Sequence, residues 1–134
     1  MRIKRIEHVA IAVKNLDAAR ETFAKLGIAC DHEETMPAAG IRLAMLPIGE
    51  SRVELLEPTS DDSPISKFLE KRGGGIHHIA VEVDDIEASL AKLKAQGMRL
   101  IDESPRIGAE GCLVAFVHPA ASGGVLLELV QTVD

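Results

Sequence analysis

The sequence predicts an α+β fold in which two tandem βαβββ modules build one domain. Three observations predict it. The chain of 134 residues has the length of one ordinary domain and is long enough to bury a core. It also repeats: residues 6–34, IEHVAIAVKNLDAARETFAKLGIACDHEE, align without a gap on residues 76–104, IHHIAVEVDDIEASLAKLKAQGMRLIDES, at an offset of 70. Ile6 then meets Ile76, His8 meets His78, Ala10 meets Ala80, Val13 meets Val83 and Gly27 meets Gly97. The match continues more loosely, Gly40–Met45 against Gly111–Phe116 and Val53–Leu55 against Leu127–Leu129. Finally, each half opens on an apolar alternation of period two and then switches to helical spacing.

Taken in order, Ile6 to Val13 alternates and reads as a strand. Residues 15–26 carry Leu16, Ala19, Phe23 and Leu26 at helical spacing, and Gly27 ends that helix. Strands are expected near 28–34, 40–47 and 51–57. Ser63-Pro64-Ile65 starts a connecting helix, with Ser as cap and Pro in its first turn, running to about Arg72. Gly73, Gly74 and Gly75 terminate it. They do not form a phosphate-cradling loop, which needs a strand before it and a helix after it. The second half repeats the plan. A strand begins at Ile76. Asp84 and Asp85 offer an N-cap, with Glu87 placed like the acid of a capping box. Ile86, Leu90 and Leu93 make the helix stripe and Gly97 stops it. Strands are expected near 98–103, 111–118 and 124–131. Module one thus spans about 1–60, the connecting helix about 63–72, and module two about 73–134.

Composition excludes several function classes. The chain is 46% hydrophobic and 27% charged, which is globular. With three Phe, no Tyr and no Trp it has no stacking platform for single-stranded nucleic acid. A net charge of -6 speaks against nucleic acid and against an anionic membrane surface. No apolar run approaches the ~20 residues of a membrane span. No signal-peptide core follows Met1, so a cytoplasmic location is expected. Cys30 and Cys112 make no disulfide framework; their repeat partners are Leu100 and Ile41, so both read as small core hydrophobes.

The candidate site comes from the histidines and two acids. His78 has a repeat partner in His8, whereas its neighbour His77 pairs with Glu7 and faces the other side of the strand. The last strand of each half carries an acid in an apolar run: Glu54 in RVELL and Glu128 in VLLELV. These too are repeat partners. A lone carboxylate is costly to bury without compensation. Two imidazoles and two carboxylates in pseudo-symmetric pairs explain that burial as a metal site, and the donor set suits Zn, Co, Ni, Mn or Fe(II). His32 and His118 have no such partner; His32 is expected at the surface and His118 in a turn at the cleft mouth.

Nearly the whole chain resembles the methylmalonyl-CoA epimerase family of the vicinal oxygen chelate superfamily, which also includes glyoxalase I. The stretches that carry the resemblance are EHVAIAV at 7–13, VELLEP at 53–58, DSPISKFLEKRGGGIHHIAVEVDDIEA at 62–88, IGAEG at 107–111 and HPAASGGVLLEL at 118–129. The third and fifth are specific to the epimerases. The resemblance implies paired βαβββ modules in a curved sheet around one metal cleft. It implies one divalent ion (Co, Mn, Ni or Zn) held by His8, Glu54, His78 and Glu128, and a homodimer. It further implies interconversion of the (R) and (S) forms of methylmalonyl-CoA by C2 proton abstraction through a metal-stabilised enolate, with Glu128 as ligand and base. Some relatives carry a second acid where this chain has Leu43, so the resemblance assigns no second proton carrier. Lys67, Lys71 and Arg72 are the candidates for the CoA phosphates. Glyoxalase I would use the same ligands on a glutathione hemithioacetal. A ring-cleaving dioxygenase would use two His and one carboxylate, and a non-catalytic binding protein would need no four ligands.

Overall fold

The computed structural model describes residues 1–133. Its elements are β1 (Ile3–Ala12), α1 (Leu16–Lys25), β2 (His32–Met36), β3 (Ile41–Ile48), β4 (Ser51–Pro58), α2 (Pro64–Arg72), β5 (Gly75–Val83), α3 (Ile86–Ala95), β6 (Arg106–Ile107), β7 (Leu113–Val117) and β8 (Leu127–Gln131). The fold is α+β, with the βαβββ order occurring twice and α2 joining the two runs. The chain forms two compact units. One is His8–His77; the other combines Met1–Glu7 with the chain from His78 onward.

In the unit His8–His77 the strand order is β2-β3-β4-β1. β3 pairs antiparallel with both β2 and β4, and β4 runs parallel to β1. Period-two alternation gives this sheet two different faces. On one, Leu16 of α1 packs with Ala44, Leu46 and Leu55, backed by Ile11, Phe23 and Cys30. The other face is fixed by register. Met45 stands opposite Glu54 and Glu54 opposite Ala10; Leu43 stands opposite Leu56 and Leu56 opposite Ala12.

In the second unit the order is β5-β8-β7-β6, with β5 parallel to β8 and antiparallel pairs beyond it. Val83, Ala115, Val117 and Leu129 pack under Ile86 and Leu90 of α3. Ala80, Val114 and Val130 form a smaller cluster on the opposite face, with Cys112 against it. Burying aliphatic side chains of this size contributes about 1.5–3 kcal/mol each.

Both long helices are tied down in the same way. Asn15 Oδ1 accepts from the Ala18 N–H at 2.9 Å, and Asp85 Oδ1 accepts from the Ala88 N–H at 3.0 Å. The first helical N–H of each, which the helix itself cannot satisfy, donates to the last strand of its module: Leu16 to Glu57 Oε2 at 2.7 Å and Ile86 to Gln131 Oε1 at 2.9 Å. Because Asp85 is the cap, Glu87 falls one place short of the capping-box position and acts only as an acid in the first turn. Asp84 instead accepts from the Arg2 N–H at 3.1 Å. α2 begins at Ser63, whose Oγ accepts from the Ile65 N–H, and ends at Gly73 with φ 74°. Gly74 and Gly75 continue at φ 125° and 110°, conformations that only glycine enters without strain.

The strand expected at 98–103 is absent as a regular element. Leu100 makes a single bridge to Val117, and both Ile101 and Asp102 donate their N–H groups to the Phe116 carbonyl. The Asp102 carboxylate then accepts from the Phe116 N–H at 2.8 Å. A side chain takes over one rung of the ladder, so regular pairing resumes only at Arg106–Ile107. In the first module the corresponding strand starts at His32, later than the apolar run at 28–30 suggested.

Candidate metal centre

His8 lies on β1 and Glu54 on β4. Since Ala10 is the residue opposite Glu54, the two are diagonal neighbours on adjacent strands. His8 Nε2 is 3.3 Å from Glu54 Oε1, and the side chains are only 6% and 7% exposed. The other unit repeats this arrangement. Ala80 stands opposite Glu128, so His78 is diagonal to it, and His78 Nε2 is 3.3 Å from Glu128 Oε1. In both pairs the separation exceeds the 2.7–2.9 Å of a charge-assisted hydrogen bond. Each pair turns an imidazole Nε2 and a carboxylate oxygen toward one another in a dry setting, and this donor chemistry fits a divalent transition metal. Each unit thus assembles one half of the four-residue set.

The surroundings of His78 are specific. Its ring packs edge-on against Phe116, with centroids 5.2 Å apart and planes at 89°. Phe116 stands opposite Glu128. The Arg106 guanidinium lies 5.5 Å from the Phe116 centroid and 3.5 Å from Asp102 Oδ2. Arg106 pairs with Val114, which puts it on the same face as Phe116, Glu128 and His78. Sequence reasoning missed Arg106 because the edge strand was expected several residues earlier, at 98–103, and the face Arg106 occupies depends on the pairing of Arg106 with Val114 across a turn.

Glu82 is buried on the His78 face of β5. Burial alone would push its carboxyl up, but hydrogen bonds from Arg5 and Thr132, with the charges of Arg5 and Lys4, hold it below the usual carboxylate range. Arg5 Nε is 2.6 Å and Thr132 Oγ1 2.8 Å from it. Leu43 is fully buried on the Glu54 face of its unit.

The remaining histidines have local roles. His77 packs edge-on against Phe68 of α2, whose ring also carries the Arg72 guanidinium. His32 Nε2 is 2.9 Å from Glu34 Oε1 on β2. His118 Nδ1 accepts from the Ala120 N–H and caps a short turn. Lys67, Lys71 and Arg72 are exposed along α2. Cys30 and Cys112 are free and half-buried. Among the described residues no helix is long and apolar enough to cross a membrane.

Comparison with known proteins converges on one family. Residues 7–116 match the glyoxalase/bleomycin resistance protein/dioxygenase superfamily. The mitochondrial methylmalonyl-CoA epimerase of Bos taurus is 40% identical over 95% of this chain and 74% of its own length. The ethylmalonyl-CoA/methylmalonyl-CoA epimerase of Cereibacter sphaeroides is 42% identical over 96% of this chain and 98% of its own. Among solved structures, a variant of Streptomyces coelicolor methylmalonyl-CoA epimerase in complex with 2-nitronate-propionyl-CoA superposes with a TM-score of 0.93 at 40% identity, covering 98% of this chain and 96% of that one. Fold, repeated His–Glu pairs and whole-length similarity agree: the chain belongs to the methylmalonyl-CoA epimerase family of the glyoxalase superfamily.

Proposed function

We propose that this protein interconverts the two C2 epimers of methylmalonyl-CoA. The observation that carries the reading is whole-length likeness to enzymes bearing that name. The two buried His–Glu pairs give it a chemical basis. His8, Glu54, His78 and Glu128 would together hold one divalent ion, and Co, Mn, Ni or Zn suits imidazole with carboxylate. When bound, such an ion would supply Lewis acidity that stabilises the negative charge developing on the thioester oxygen.

The C2 hydrogen lies between a thioester and a carboxylate, so its loss leaves a delocalised enolate. Glu128 accepts that proton on a carboxylate oxygen and serves as the general base. Ala80, Val114 and Val130 provide a dry apolar floor beside it, which strengthens the electrostatics of the step. The Phe116 ring holds the His78 imidazole in orientation. Glu82, already engaged by Arg5 and Thr132, is a poorer base. Leu43 carries no titratable group and so moves no proton.

The protein acts as a homodimer in the cytoplasm in this reading; free Cys30 and Cys112 suit a reducing compartment, and sedimentation equilibrium tests the dimer. The deciding measurement is deuterium exchange at C2 of methylmalonyl-CoA, run beside an assay with methylglyoxal and glutathione. Exchange without lactoylglutathione formation is expected. The converse result would assign the glyoxalase I reaction instead.

A further inference from the structure

We propose that Arg106 recognises the C2 carboxylate of the substrate and so sets the preference for a malonyl-type acyl group over a plain acyl group. This rests on the epimerase reading above. Three features place the residue. Its register partner Val114 puts it on the face that carries His78 and Glu128. Its guanidinium sits over the Phe116 ring, 5.5 Å from the centroid, while the same ring packs edge-on against His78 at 5.2 Å. One aromatic ring therefore contacts both the cation and the imidazole that would hold the ion. Its side chain is 54% exposed, and its ion-pair partner Asp102 is 3.5 Å away, beyond hydrogen-bond contact for a strong pair.

The chemistry fits an anion within reach of that face. A guanidinium offers a planar fork of donors that matches a carboxylate, and stacking on an aromatic face holds the fork in place without consuming its edge N–H groups. Asp102 is itself committed through Oδ2, which accepts from the Phe116 N–H at 2.8 Å. Arg5, which reaches Glu82 on this face, is occupied by it at 2.6 Å and lies 3.8 Å from Glu7. In a chain of net charge -6, a cation that is stacked but weakly paired is the natural counterpart of a single carboxylate on a small acyl group. The CoA phosphates are the other anions of the ligand, and the test separates them from the carboxylate.

The test uses propionyl-CoA, which shares the CoA and the thioester but lacks the C2 carboxylate. KM and kcat for methylmalonyl-CoA and the inhibition constant of propionyl-CoA are measured on the metal-loaded parent, Arg106→Ala and Arg106→Lys. Losing a charge-assisted bidentate contact is expected to raise KM for methylmalonyl-CoA in Arg106→Ala by ~10- to 100-fold. The propionyl-CoA constant stays within about twofold, because its recognition never involved the fork. Arg106→Lys falls between, since an ammonium keeps the charge but not the bidentate geometry. A parallel weakening of both ligands in Arg106→Ala would move the contact to the CoA phosphates and overturn the proposal. So would an unchanged KM. Far-UV circular dichroism and metal content identify a variant that has merely lost its fold; Arg106→Lys then decides, and equal constants to the parent for both ligands overturn the assignment. A parent that exchanges no C2 deuterium overturns the epimerase reading itself, an outcome distinct from a parent that exchanges while Arg106→Ala discriminates as before.

Discussion

At Glu54 and Glu128 the two modules set the same carboxylate diagonally across from the same imidazole, 3.3 Å away in each case. Their expected roles differ all the same. A Gln oxygen can coordinate a metal but accepts no proton at neutral pH. Glu54→Gln should therefore keep its metal and most of its activity. Glu128→Gln should keep much of the metal and lose C2 exchange by ~100-fold or more; parent-like exchange in that variant would place the base elsewhere. Elemental analysis of His8→Ala and His78→Ala is expected to show the ion, about one per chain, lost or strongly depleted; full retention in both would sink the four-ligand assignment. The members of each pair were legible in the sequence because strand alternation and the repeat act on single residues. Arg106 was not: its importance depends on which face it occupies, and that depends on an edge strand whose start is set by the Asp102 side chain.

Helices and the strand order within each module follow from apolar periodicity, and the repeat made them readable twice over. The anchoring of α1 and α3 did not show. Glu57 and Gln131 look like ordinary strand-end polar residues, yet each accepts the first N–H of its helix. Replacing Gln131 with Ala is expected to lower the urea unfolding free energy by about 1 kcal/mol, as for loss of a cap. Gly73→Ala, which forces a Cβ into φ 74°, should cost about 1 kcal/mol or more, and Gly73→Asn less, by the same measurement. Arg5, Glu82 and Thr132 knit β1, β5 and the residue after β8 together. The carboxyl of Glu82 is held below its ordinary value of 4.5 in the folded chain. The unfolded chain therefore binds its proton first as pH falls. The stability Glu82 contributes is fully present above that ordinary value and is lost as pH drops through the folded one. Acid unfolding of Glu82→Gln should show a correspondingly shallower loss of stability across that window, read from urea midpoints between about pH 6 and pH 3.

Across the molecule, the internal repeat made the fold class legible before any coordinates, because whole-chain patterns survive local irregularity, while the family was legible only through the resemblance carried by stretches such as HPAASGGVLLEL. The repeat gave no hint that β1 is shared, its first residues grouping with the chain from His78 onward and the rest with His8–His77. That division has a consequence for the order in which the chain can fold. A ribosome releases Met1–Glu7 first, while the strands of their own unit emerge last. The backbone exchange between Arg2 and Asp84, in which the Asp84 N–H donates to the Arg2 carbonyl and the Arg2 N–H to the Asp84 carboxylate, must wait for the intervening segment. The hairpin-rich stretch of β2, β3 and β4 needs only near neighbours and can form early, whereas closing so long a loop is slow. Pulse-labelled hydrogen exchange during refolding should protect amides of β3 and β4 before the Asp84 amide; the reverse order would contradict this sequence of events. An N-terminal fusion then burdens the late step, since it must be carried in on the strand segment that waits longest for its partners.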